Sequence, residues 1–244
     1  MLLRVRNRIK SWWAAAALLS AELIVIMALF FVALIAFAWL VRRVFVVQKT
    51  GFDEKAFTFL GGHVNPVNSE VMHTITFLGT HYFLIPLNIF LVFWYLVVRR
   101  HKWYSIKIPT IAISSVLLML VLKNIFERPR PLIPLLEAAR GFSFPSGHAL
   151  MSTTVYGLLI YIFWLDVRNA VFRWFLIIFF GLLVLAISLS RIYLRVHYTS
   201  DVLAGISLGI AWLIMSVSIL RHFERWSKRT VDPIVEDPPA VTTS

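Results

Sequence analysis

Six apolar runs, separated by short polar connections, constrain this chain more than any other feature. They cover Leu23–Val41, Val71–Val98, Ile106–Phe126, His148–Leu165, Val171–Leu189 and Val202–Leu220. A run of about 20 such residues is what an α-helix needs to cross the hydrocarbon core of a bilayer. The first run follows Arg4, Arg6, Arg8 and Lys10, as a signal sequence would. It is too long for a signal core, however, and no small-x-small cleavage site precedes Arg42-Arg43, so it reads as a span. Gly79, His81 and Pro86 interrupt the second run, which is expected to tilt or to begin as a short interfacial turn after a polar connection over Lys49–Ser69.

Composition agrees with this pattern. Hydrophobic residues make up 59% of the 244, only 15% are charged, and the mean hydropathy is +0.80. A soluble domain rarely exceeds about half apolar residues, so most of this surface must face lipid. The formal charge of +12 therefore bears on membrane orientation and gives no argument for a nucleic-acid partner. The absence of cysteine excludes disulfides and thiolate metal sites. The expected fold is all-α, a polytopic membrane protein of six transmembrane helices. Residues 1–20 form a basic cytoplasmic N-terminus and 21–222 the membrane domain. The Pro-rich, acidic end of 223–244, "VDPIVEDPPAVTTS", is expected to be a disordered cytoplasmic tail.

Six spans place both termini on one side. With a cytoplasmic N-terminus, 14 of the 24 basic residues lie in inside segments and 10 outside. Of the outer ones, Lys123, Arg128, Arg130 and Arg191 crowd the ends of spans three and five. Setting these four aside leaves 14 against 6, which favours the N-in orientation.

Three stretches then share the outer end of the bundle: "LKNIFERPRP" after span three, "PSGH" opening span four, and "SRIYLRVHYTSD" between spans five and six. They bring together Lys123, Arg128, Arg130, Ser146, His148, Arg191, His197 and Asp201. Ionisable groups at such depth cost roughly 2.5–3.5 kcal/mol each on insertion scales and usually serve function. The excess of cations indicates an anion site, and favours phosphate. His197 and Asp201, four apart, would share a helical face, the carboxylate fixing one imidazole tautomer and leaving the other nitrogen nucleophilic. His148 has no carboxylate in sequence reach, so two histidines in different surroundings can divide the roles of nucleophile and acid. Ser146 and Gly147, ahead of a helix start, can offer a hydroxyl and backbone N–H groups to phosphate oxygens.

These residues resemble the three signatures of the type 2 phosphatidic acid phosphatase superfamily. Lys-x6-Arg-Pro matches Lys123 to Arg130-Pro131, Pro-Ser-Gly-His matches Pro145 to His148, and Ser-Arg-x5-His-x3-Asp matches Ser190-Arg191, His197 and Asp201. The resemblance implies that His197 attacks phosphorus to form a phosphohistidine, assisted by Asp201. His148 would protonate the leaving oxygen and later activate water, while Lys123, Arg130, Ser146, Gly147 and Arg191 hold the phosphate. "RPRP" also offers Arg128-Pro129; the family spacing selects Arg130 and leaves Arg128 as a neighbouring or substrate-facing charge.

The resemblance implies an integral membrane lipid phosphatase with its active site at the extracytoplasmic end, in a cell membrane, and bacterial rather than eukaryotic by the chain's brevity and lack of cysteine. No cofactor and no obligate protein partner is expected. A two-metal site would want clustered carboxylates, and only Asp201, Glu127 and Glu137 lie near the motifs, so metal-independent turnover is expected. The apolar loop Leu132, Ile133, Leu135 and Leu136 suits an interfacial position beside the site, letting a lipid phosphate enter sideways. Undecaprenyl pyrophosphate, phosphatidylglycerol phosphate and phosphatidic acid are the candidate substrates. A phosphotransferase passing the phosphate to a lipid acceptor is the alternative, and a transporter is disfavoured by spans nearly free of mid-membrane charge. Glu22 reads as a helix-packing group. His63, His73, His81, His101 and His222 read as interfacial histidines, the tryptophans as an aromatic belt, and Asp53 and Glu54 as a solvated turn.

Overall fold

The computed structural model describes residues 23–49, 51–135 and 141–230. The basic N-terminus, Glu22, Leu136, Glu137 and the acidic end 231–244 lie outside them.

Eight helices make up the described residues: α1 (Leu23–Val46), α2 (Gly51–Gly61), α3 (Pro66–Phe77), α4 (His81–Phe93, running on through a π-helical turn, Trp94–Val98), α5 (Lys102–Phe126), α6 (Gly147–Asp166), α7 (Ala170–Tyr193) and α8 (Thr199–Thr230). Six segments are long and apolar enough to cross a membrane, with α3 and α4 counting as one interrupted span. The helix starts follow from local chemistry. Asn65 accepts from the Asn68 amide at 2.8 Å ahead of Pro66 at the first helical position of α3. Asn169 does the same for Phe172 at 3.0 Å in α7; each satisfies an N–H that has no partner within the helix.

Burial separates inner from outer helices. α6 and α8 have 56% and 44% of their spanning windows buried, against 11% for α1 and α7, so these two form the axis on which the rest is arranged. α6 packs on α5, α7 and α8. Glycines let α6 and α8 approach closely: a Cβ on Gly209 would stand 2.8 Å from the Thr153 Cβ, the small-residue packing that membrane helices use where lipid provides no hydrophobic drive. The outer helices turn Ile24, Ile35, Ile89 and Phe175 outward, the surface a bilayer would cover.

Three features differ from the sequence reading. The Lys49–Ser69 connection contains helix α2, whose Ala56, Phe57 and Leu60 pack against Ala149, Ile192 and Val202. The second span starts earlier than Val71, at Pro66, and the interruption expected at Gly79 takes the form of a break at Leu78-Gly79-Thr80. A Cβ on Gly79 would meet Ile187 at 2.6 Å and His148 at 3.2 Å, so the break lets backbone pass close to α7 and the start of α6. Finally, α8 continues to Thr230, past the expected boundary at 222. There Glu224 accepts from Lys228 at 2.8 Å and from Lys107, a buried residue of α5. That pair ties the extension to the bundle.

Candidate active site

The C-terminal ends of α5 and α7 and the N-terminal ends of α6 and α8 converge at one end of the bundle. Lys123 occupies the last turn of α5 and Arg191 the last turn of α7. Gly147 and His148 open α6, and Asp201 lies in the first turn of α8. His197 sits in the short connection between α7 and α8. The loop carrying Ser143 and Ser146 is anchored by Phe144, fully buried against Phe45 and Phe126 with ring centroids 5.2 and 5.0 Å away.

Between these ends lies a cavity of about 600 Å³ whose polar wall comprises Lys123, Asn124, Arg130, His148, Arg191, His197 and His81. Among the described residues no carboxylate lines it. Arg130 is held in place by carbonyls, its Nε and one terminal nitrogen each 2.9 Å from the Gly141 and Val196 oxygens. Lys123 donates to the Phe142 carbonyl. Arg191 donates to Thr76 Oγ1 at 2.7 Å, while its Nε, with Ser146 Oγ and His148 Nε2, is buried without a hydrogen-bond partner among the described residues. Buried polar atoms are seldom left so. Three of them beside a cationic wall suit an anion that brings several acceptor oxygens.

His197, although it contributes to this wall, is only 2% exposed. Its Nε2 lies 3.4 Å from Arg130 and its Nδ1 is directed at Ser143 and Asp201. The expectation that His197 and Asp201 share a helix is not met: His197 precedes α8. Their side chains meet because Asp201 Oδ2 folds back to accept the Tyr198 amide at 2.9 Å. The Nδ1–Oδ2 separation is 3.6 Å, too long for a direct hydrogen bond. Ser143 Oγ fills the gap, donating to Asp201 Oδ2 and lying 3.3 Å from Nδ1. Burial pushes the His197 imidazole down to about 4, only partly opposed by Asp201. It is therefore neutral at physiological pH, with a lone pair on one nitrogen. Burial also lowers Arg130 from its ordinary value, though a guanidinium keeps its charge at neutral pH.

The two arginines of "RPRP" are sorted by their surroundings. Arg130 lines the cavity, whereas Arg128 lies over the Tyr198 ring at 4.1 Å and pairs with Asp201 and Asp53. Asp53 is 3% exposed, not in a solvated turn as its surroundings in the sequence suggest. Sequence reasoning missed Ser143, Asp53 and Thr76. Ser143 stood beside a recognised motif, but the other two reach the site across more than 100 residues of chain. His81, read as interfacial, forms part of the cavity wall.

A second cavity, about 620 Å³ and almost wholly apolar, runs along α4 and α5 and shares Ile85, Val116 and Met151 with the first. Among the described residues no group of three His, Cys, Asp or Glu side chains could hold a metal ion.

A multi-pass membrane bundle with a cationic pocket at one end is the class that fold and site define. The model of the PAP2 superfamily matches residues 104–225, and the chain belongs to that family. It is 35% identical over 152 residues to phosphatidylglycerophosphatase B of Bacillus subtilis, spanning 59% of this chain and 71% of the relative. It is 29% identical over 180 residues to an undecaprenyl-diphosphatase of Sulfolobus acidocaldarius, 70% of this chain and 80% of that one. The crystal structure of a transmembrane PAP2-type phosphatidylglycerolphosphate phosphatase from Bacillus subtilis superposes with a TM-score of 0.67 at 29% identity, covering 84% of this chain and 98% of that chain.

Proposed function

We propose that this protein removes phosphate from a phosphomonoester or pyrophosphate of a membrane lipid through a phosphohistidine on His197. The observation that carries the proposal is the adjacency of two cavities. One is walled by Lys123, Arg130 and Arg191; the other is almost wholly apolar, and Ile85, Val116 and Met151 line both. A lipid with its phosphate at one and a tail along the other fits this shape, and a soluble phosphate ester would leave the groove unused. Undecaprenyl pyrophosphate, phosphatidylglycerol phosphate and phosphatidic acid all meet that description.

His197 Nε2 attacks phosphorus and the bond to the lipid oxygen breaks, His148 giving that oxygen its proton. His148 then takes a proton from water, whose oxygen displaces the imidazole and releases inorganic phosphate. Asp201, reaching Nδ1 through Ser143, offsets the positive charge that His197 gains on phosphorylation. Lys123, Arg130 and Arg191, with Ser146 Oγ and the Gly147 amide, hold the non-bridging oxygens. Phosphoryl transfer asks mainly for positioning and charge neutralisation; side-chain cations supply the latter, which supports metal-independent turnover. The site faces outside, with both termini cytoplasmic, in keeping with the distribution of basic residues.

The test is phosphate release in chelator from the three lipids and from a soluble nitrophenyl ester, with acid-labile phosphoenzyme trapped in parallel. Release from a lipid at wild-type His197, none with His197→Ala, and accumulation of phosphoenzyme in His148→Ala on the nitrophenyl ester are expected. Acid-labile phosphate at wild-type levels on His197→Ala would sink the assignment. Transfer of label to an added lipid acceptor instead of water would favour a phosphotransferase.

A further inference from the structure

The first helix after α1 reaches the site through a chain of charges that begins at Asp53, a residue outside all three motifs. Asp53, near the start of α2, accepts the Ser200 amide at 2.8 Å, the Ser200 hydroxyl at 2.7 Å and an Arg128 nitrogen at 3.1 Å. The other Arg128 terminal nitrogen donates to Ser200 Oγ at 2.8 Å and to Asp201 Oδ1 at 2.5 Å. Asp53 therefore caps α8 from a different helix, binding one of the N–H groups that α8 cannot satisfy internally. Arg128 fills the space between two carboxylates in a site where its own side chain is only 10% exposed.

This arrangement acts on one rotation. With Oδ1 of Asp201 held by Arg128, the carboxylate can only present Oδ2 to the Tyr198 amide and to Ser143, and through Ser143 to His197 Nδ1. We infer that Asp53 and Arg128 are a positioning pair, which sets the orientation of Asp201 and so of the His197 ring, without touching substrate. The inference rests on the proposed role of His197. A guanidinium fork serves two carboxylates and a hydroxyl at once, which an ammonium cannot do; groups that orient metal ligands change activity by roughly 10- to 100-fold, and a loss of the same order is expected for a pair that orients a nucleophile's partner.

The experiment is a double-mutant cycle on the purified full chain, reading kcat, KM and the rate of phosphoenzyme formation on whichever lipid the wild type turns over. Asp53→Asn and Arg128→Gln are expected to lower kcat roughly 10- to 100-fold with KM within about threefold, and Arg128→Lys to recover only part of the loss. In an Asp201→Asn background Asp53→Asn should cost almost nothing further, because the residue it acts through is already disabled. Lys55→Gln, an exposed neighbour on α2, should behave as wild type. Multiplicative losses in the double variant, or a loss confined to KM or to thermal stability, would overturn the inference while leaving the phosphohistidine reading intact. A wild type that forms no phosphoenzyme with any lipid would remove both.

Discussion

Gly205, in the second turn of α8, is where the two halves of the site press together. A methyl group there would stand 2.6 Å from the Ser146 carbonyl oxygen, 3.0 Å from the Ala149 Cβ and 3.2 Å from the Leu150 nitrogen. Carbon and carbonyl oxygen settle at about 3.3 Å, so Gly205→Ala must part α6 from α8 locally by roughly 0.7 Å. Both elements carry proposed machinery: Ser146, Gly147 and His148 begin α6, Asp201 lies one turn before Gly205, and the Ser146 amide bonds the Asp201 carbonyl at 3.0 Å. Overpacking of this kind costs about 1–3 kcal/mol, offset by up to about 1 kcal/mol from replacing a helical glycine. A misplacement of about 1 Å can cost on the order of 10² in rate, so a kcat roughly 10- to 100-fold down is expected, with a smaller change in KM. Gly181→Ala in α7 is the matched control, because nothing lies within 4 Å of its Cβ; it receives the same helix-propensity gain with no clash. Initial rates in detergent micelles and thermal unfolding of both variants decide the matter. If Gly205→Ala turned over as fast as Gly181→Ala and melted at the same temperature, the close approach would not be what positions the site.

Other outcomes follow from the same geometry. Ser143→Ala removes the hydroxyl between Asp201 and His197 but leaves Asp201 its bonds to Tyr198 and Arg128; kcat should fall less than the loss of order 10⁴ expected for Asp201→Asn by analogy with a triad carboxylate, and equal losses would show that the two groups act only as a unit. The ¹⁵N shifts of labelled His197 should report a neutral ring at pH 5.5 in the phosphate-free protein, since burial lowers its pKa to about 4; a protonated ring at that pH would contradict the burial argument. The same depression means the unfolded chain binds a proton that the folded one refuses, so this group's contribution to stability should decline as pH falls from about 6.5 to about 4, and the decline should be smaller in His197→Gln. At the opposite end of the bundle, Glu224→Ala strands the buried Lys107 ammonium and should lower stability by about 3–5 kcal/mol, whereas Lys107→Met leaves Glu224 with Lys228 and should cost much less; comparable melting temperatures would refute that ordering.

The spans and the three motifs were legible in the chain because hydropathy and spacing are properties of neighbouring residues. A run such as Leu23–Val41 must find lipid wherever it lies, and Lys123 with Arg130, or His197 with Asp201, are close enough along the chain that few folds could separate them. An even number of crossings also puts all three motifs at one end without any knowledge of packing. The remaining decisions belong to tertiary contact. Asp53 looks like an ordinary charge in a polar turn until α2 is laid across α7 and α8 and brings it to Ser200, 147 residues away. Arg128 and Arg130 are indistinguishable by type; the motif spacing selected Arg130, but what Arg128 does instead depends on where Asp53 and Asp201 stand. The interruption at Gly79 was readable in the chain, but not its packing against Ile187 and His148, which occupy the space a side chain there would need. Periodicity records which face a residue presents, but the partner that meets that face is chosen only when the helices pack.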